Sequence, residues 1–194
     1  MSAFVALTDT CALFPQSLRD VLLRAAEAEL YRVRWSEDIL EELRRNLQKQ
    51  RGLTEEQAQH LLSEMRAAFP EATVTGYGGL VASMTNHPED RHVLAAAVCA
   101  GAQVIVTDNL RDFPEAALAP YNIEAWPPDE FLGYLCDRYS GAMARIVLDS
   151  NAARRRPPEP LAQTLDRLAK SAPKFVQQIR AHRSVFRALE RERL

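Results

Sequence analysis

Five carboxylates in this sequence stand where a shared site can form: Asp9, Glu42, Asp90, Asp108 and Asp112. Asp9 closes the apolar run "AFVALT" and lies between Thr8 and Thr10. Asp108 and Asp112 follow a second apolar run, "VIVT" at 104–107, with Asn109 between them. Ending a buried strand on an ionised carboxylate is costly unless the charge is paired or meets a cation. Crowded carboxylates repel one another until their pKa values rise or a cation neutralises them. Oxygen donors without clustered His or Cys select hard ions, Mg²⁺ or Mn²⁺. An acidic pocket holding one or two such ions is equipped to hydrolyse phosphodiesters.

For these acids to meet, the intervening elements must bring them together. Residues 4–8 read as a strand, and a helix with Leu18, Val21, Leu22 and Ala25 on one face follows Pro15. "YRVRW", 31–35, reads as a second strand. The helix over 36–50 has Ser36 as its N-cap, Glu37 and Asp38 in its first turn, and Gly52 as its stop. Thr54 caps another helix. Strands are expected over 71–75, 104–107 and 123–126, and a helix from Pro88 to Ala100 with Gly101 as its end. The stretch "GYGGLVASMTNHP" reads as a loop with a short apolar segment. Strands alternating with helices predict right-handed crossovers and a mostly parallel sheet covered on both faces, an α/β fold. Beyond residue 128 only helices are expected, with a break near 151–160.

In such a sheet, ligands bind beyond the carboxyl ends of the strands. Asp9 lies there, as do Asp108, Asn109 and Asp112. On the 36–50 helix, Ile39, Leu40, Leu43 and Leu47 form the apolar stripe; Glu42 flanks it, whereas Glu41 points to solvent. Asp90 precedes Val93, Leu94, Ala97 and Val98 by three, four, seven and eight residues, which puts it in the first turn of the buried face. Each acid has a plainer account. Asp9 can bond to Thr8, Thr10 or a helix N-terminus, Glu42 can be one member of a charged helix, Asp90 a helix-start acid, and Asp112 a turn residue. Four acids at matching topological places argue for one pocket.

Composition sets the class. The 194 residues are 47% apolar, enough for one domain and an appendage. No stretch approaches the ~20 apolar residues of a membrane helix, and the start lacks a signal-peptide pattern. Cys11, Cys99 and Cys136 are odd in number and show no CxxC, which predicts a reducing cytoplasm and neither zinc nor disulfides. From Asn151 onward nine Arg and two Lys against four acids give +7, whereas 13 basic and 22 acidic residues before it give −9. An acidic body with a basic tail suits a nucleic-acid or acidic-protein partner, or simply a solvated helical surface.

The blocks "LTDTCALFP", "WSEDILEEL" and "EDRHVLAAAVCAGAQVIVTDNLRDFP" resemble the PIN-domain ribonucleases, especially the VapC-type toxins of bacterial toxin–antitoxin pairs. The similarity spans roughly residues 3 to 128. Carried over position by position, the family's acids fall on Asp9, Glu42 (six residues after Ser36), Asp90 and Asp112, the last within Thr107-x-Asn109-x-x-Asp112. Asp108 stands where the family varies and is an extra candidate ligand. The resemblance implies a three-layer PIN-like fold over 1–128, followed by an all-α extension over 129–194. It further implies Mg²⁺ or Mn²⁺ dependence, endonucleolytic cleavage of RNA leaving a 5′-phosphate and a 3′-hydroxyl, homodimers, and a cognate antitoxin as partner.

On that reading Asp9, Asp90 and Asp112 coordinate a cation, with Glu42 as a ligand or as holder of its waters. Thr8, Thr10 and Thr107 are candidate hydroxyl donors that orient carboxylates, and strand propensity accounts equally well for Thr8. His87 is expected to start a helix, and His92 to pack beside the site or meet phosphate. Trp35 and Trp126 are expected to pack rather than stack on bases. Arg154, Arg155 and Arg156 could grip phosphates, solubilise the chain or meet the antitoxin. The rival readings are a PIN-like binding module with structural acids, a PIN-fold nuclease of RNA processing, and a DNA-directed nuclease. An aspartyl-nucleophile phosphatase needs a second acid two residues after the first, and Cys11 stands there instead.

Overall fold

The computed structural model describes residues 4–153 and 159–191, so Arg154, Arg155 and Arg156 lie outside the described residues. Five strands run in the order β1 (Val5–Thr8), β2 (Arg32–Ser36), β3 (Thr73–Val74), β4 (Val104–Val106) and β5 (Glu124–Trp126). The α-helices among the described residues are α1 (Thr10–Leu13), α2 (Gln16–Glu27), α3 (Glu37–Arg51), α4 (Glu55–Ala68), α5 (Arg91–Cys99), α6 (Glu115–Leu118), α7 (Pro128–Ala153), α8 (Leu161–Leu168), α9 (Pro173–Ala181) and α10 (Arg183–Arg191). They sort into two compact units: Met1–Phe14 with Tyr31–Pro127, and Pro15–Leu30 with Pro128–Leu194.

The first unit is built on a five-stranded sheet of order β3-β2-β1-β4-β5, parallel throughout. β1 is therefore central, with Leu7 facing Arg34 of β2 and Ile105 of β4. Ala6, Leu7 and all of β4 are buried, as a sheet covered on both faces requires. The helix ends follow local chemistry. Ser36 Oγ accepts from the Ile39 amide at 3.2 Å, and Gly52, at φ 67°, takes the left-handed conformation that ends α3. Thr54 and Gln57 form a reciprocal capping box at the start of α4.

Two elements differ from their expected form. β3 shortens to two residues because the Ala72 amide turns back to the Phe69 carbonyl and Gly76, at φ 79°, turns the chain away. The expected loop contains a 3₁₀ turn at Tyr77–Ser83 packed on α5, and a second at Pro88–Asp90 precedes that helix. The tryptophans pack as expected: Trp35 is buried and donates to Thr73 Oγ1 at 3.2 Å, and Trp126 donates to Glu124 at 2.7 Å.

The second unit is helical throughout its described residues. α2 buries Leu18, Val21, Leu22 and Ala25, the face its spacing predicts. α7, broken at Tyr139 (φ −136°, ψ 45°), packs on α2 and on α9. Asp129 receives the Lys174 and Phe175 amides at 3.1 and 2.8 Å and so caps the start of α9. The grouping of α2 with helices more than a hundred residues later is spatial and has no mark in the local sequence. Among the described residues, no helix is long and apolar enough to cross a membrane.

Candidate active site

Asp9 follows β1 directly and is the N-cap of α1. Its side chain is 3% exposed, and both oxygens are held. Oδ1 accepts from the Thr10 amide at 2.6 Å, and Oδ2 accepts from Thr107 Oγ1 at 2.7 Å. Thr107, at the end of β4, is itself buried and accepts at Oγ1 from the Asn109 amide at 3.1 Å. Two adjacent strand ends thus tie one carboxylate in place, as the topology of a parallel sheet predicts. Both donors are uncharged, so the carboxylate is oriented but not neutralised.

Glu42 sits on α3, half-buried, while its neighbour Glu41 is exposed and bound to Arg44. Thr10 Oγ1 donates to Glu42 Oε2 at 3.0 Å or to the Ile39 carbonyl at 3.2 Å, which links α1 to α3. Asp90 closes the 3₁₀ turn before α5 and is also half-buried. Asp9, Glu42 and Asp90 line one cavity of about 280 Å³, together with Thr10, Cys11, Phe14, Asn46, Gln50 and Asn109. The three acids come from three distant stretches of chain and share one space.

The electrostatics reflect that crowding. Asp90 has its pKa raised, by burial first and then by the negative charges of Asp9 and Asp112, against the smaller opposing influence of His87 and His92. Asp112 does not line the cavity, but it adjoins Asp90. Ligand atoms of His87, Asp90 and Asp112 all lie within 4.8 Å of one another, in a group able to hold a metal ion. The loop that joins them is fixed by its backbone: the His87 amide donates to the Asp112 carbonyl at 3.1 Å, and the Asp90 amide to the His87 carbonyl at 2.9 Å. The donor set fits a divalent cation, because carboxylates dominate it and their mutual repulsion is what a cation relieves.

The remaining expected residues fall in several places. Thr8 is buried, and its hydroxyl donates to the Arg34 carbonyl at 3.2 Å across the β1–β2 ladder. Asp108 is exposed and does not line the cavity; its amide donates to Cys11 Sγ at 3.2 Å. His92 is half-buried, with Nδ1 enclosed and without a hydrogen-bond partner.

Cys11 had no place among the expected site residues. Its Sγ lies 3.3 Å from Asp9 Oδ2 and from Thr107 Oγ1, and burial followed by the Asp9 charge pushes the thiol up to about 12. It is a neutral packing and hydrogen-bonding group rather than a nucleophile. Asn46, Gln50 and Phe14 were also missed. The first two were legible in principle, since they follow Glu42 by four and eight residues on one helix face.

Comparison with known proteins agrees with this geometry. A family model described as "PIN domain" matches residues 6–111, and one described as "VapC50 C-terminal domain" matches residues 128–181. A protein of Mycobacterium tuberculosis (strain ATCC 25618 / H37Rv) named "Putative ribonuclease VapC50" is 46% identical over 105 residues. That alignment covers 54% of this chain and 62% of the relative. No solved structure matches. With a parallel sheet whose carboxyl edge gathers distant acids, and with more than half of its length matched by the PIN model, the chain belongs to the PIN-domain family.

Proposed function

We propose that the chain is a divalent-metal-dependent endoribonuclease and the toxin of a VapC-type toxin–antitoxin pair. The carrying observation is the convergence of Asp9, Glu42 and Asp90 on one cavity at the carboxyl edge of the sheet. The similarity to a relative named as a ribonuclease supports the choice of RNA, and the match to the VapC50 C-terminal domain supports the toxin assignment.

Asp9, Asp90 and Asp112 are the residues that would hold Mg²⁺ or Mn²⁺, with Asp108 as an outer carboxylate. When bound, such an ion supplies positive charge at the phosphodiester and lowers the pKa of a water. The chain's own groups do the rest. The Thr10 amide and the Thr107 hydroxyl hold the two oxygens of Asp9 and so fix the direction of its remaining lone pairs. Thr10 likewise restrains Glu42, which on this reading would accept a hydrogen bond from the attacking water. Asn109 lines the same cavity and offers an amide to a phosphate oxygen. The partners on this reading are an RNA substrate, a cognate antitoxin and a second copy of the chain in a homodimer.

Purified protein is expected to cut single-stranded or structured RNA in Mg²⁺ or Mn²⁺ and to stop when excess chelator is added, scored on a denaturing gel. Cleavage that continues in chelator removes the metal-based mechanism. Cleavage of DNA in preference to RNA moves the assignment to a DNA-directed nuclease.

A further inference from the structure

The cavity that holds the acids is not acidic throughout. α3 contributes Glu42, Asn46 and Gln50 to its lining, one residue per helical turn, over about 12 Å at 1.5 Å per residue. Along this row a carboxylate gives way to two amides. The next residue is Arg51, whose guanidinium carbon sits 4.9 Å from the ring centroid of Phe14, and Phe14 is itself a wall of the cavity. Arg51 is exposed and, among the described residues, joins no salt bridge. Two other arginines of the same region are committed: Arg44 pairs with Glu41 and Glu55, and Arg66 with Glu37. A cation–π contact fixes the guanidinium plane yet leaves its N–H donors unused.

A polyanion entering a cavity lined by Asp9, Glu42 and Asp90 is repelled everywhere except where a cation sits. The phosphate that will be cut can meet a metal ion; the phosphate beside it needs another positive group. Arginine suits that task through its paired, planar donors. We propose that Arg51, backed by the Phe14 ring, binds the backbone phosphate next to the scissile one in single-stranded RNA, and that the strand leaves the acids along Asn46 and Gln50. This rests on the ribonuclease reading and adds to it the direction taken by the substrate. Such a contact holds the strand in register without reading its sequence.

The test uses the full chain carrying Asp90→Asn, so that RNA stays intact, and a fluorescein-labelled single-stranded RNA followed by anisotropy over a range of salt. Adding Arg51→Gln is expected to weaken binding about ten-fold at low salt. The same change lowers the slope of log Kd against log salt by about 0.7. Phe14→Leu keeps the charge, so the slope stays while affinity falls about three-fold. Arg32→Gln, at the amino end of β2 and so at the opposite edge of the sheet, removes the same charge as a control. In the chain with Asp90 intact, Arg51→Gln raises KM and leaves kcat. An Arg51→Gln chain whose affinity and salt slope equal those of Arg32→Gln overturns the proposal, as does a parent chain that binds no RNA at low salt. Absence of metal-dependent cleavage alone would count against the nuclease reading, whereas the phosphate contact is decided by the binding measurements.

Discussion

The helical unit and the candidate site of the sheet unit hold their acids differently. In the helical unit several are paired with arginines: Asp20 with Arg24, Asp149 with Arg145 and Asp166 with Arg180 in exposed or half-exposed pairs, and the more buried Glu159 with Arg167. In the sheet unit, Asp9 is almost wholly buried, and among the described residues neither it nor Glu42 joins a salt bridge. Exposed pairs contribute little to stability but cost little as well. A buried carboxylate held only by neutral donors keeps a penalty that a ligand can remove. The contrast separates acids already paired with arginine from two, Asp9 and Glu42, that are held by neutral donors.

The largest expected effect comes from Asp9→Asn, which keeps the shape and removes the charge. RNA cleavage should fall roughly 10²–10⁴-fold, and the rise in Tm on adding Mn²⁺ should vanish with it. Full activity in this variant would put Asp9 in the same structural category as the acids of the helical unit.

A smaller effect is expected from Asp90→Asn in the metal-free protein. Because the folded chain raises the pKa of Asp90, it holds that proton more tightly than the unfolded chain does. The associated stability is present at low pH and lost as pH rises through the raised value. At neutral pH, in chelator, the Asn variant should therefore melt roughly 1–3 °C above the parent, and the gap should close as pH falls through the acid range. Thermal scans across pH check this, and a parent that melts higher at neutral pH would mean that no repulsion is stored there. The smallest effect belongs to Arg145→Gln, which breaks an exposed pair: less than about 0.5 kcal/mol in denaturant unfolding and no change in cleavage. A loss well above that would blur the distinction between the two units.

Much of this architecture was legible from periodicity. The buried β-branched run of β4, the caps at Ser36 and Thr54 and the helix phase that chose Glu42 over Glu41 are local properties, and the structure carries them. What was hidden depended on geometry that unfolds only in three dimensions. Thr8 and Thr107 both end strands beside an acid, yet only the latter turns its hydroxyl to Asp9; Thr8 bonds across the sheet. Cys11 reaches Asp9 because α1 begins at Thr10 and curls the thiol back, which a four-residue helix does not announce in its sequence. Asp112 comes beside Asp90, without lining the cavity, at the end of a 3₁₀ turn of three residues, too short to leave a periodic trace. The partnership of α2 with α7 joins segments that are far apart along the chain.

The central position of β1 bears on how the protein is made. Asp9 is synthesised well before the hydroxyl that fastens it, since Thr107 is 98 positions later, and β1 has no partner on that side until β4 exists. Pairing over such separations is slow because the intervening chain must first be brought to order. A translation product that stalls before β4 therefore carries Asp9 without the strand end and the hydroxyl that hold its carboxylate.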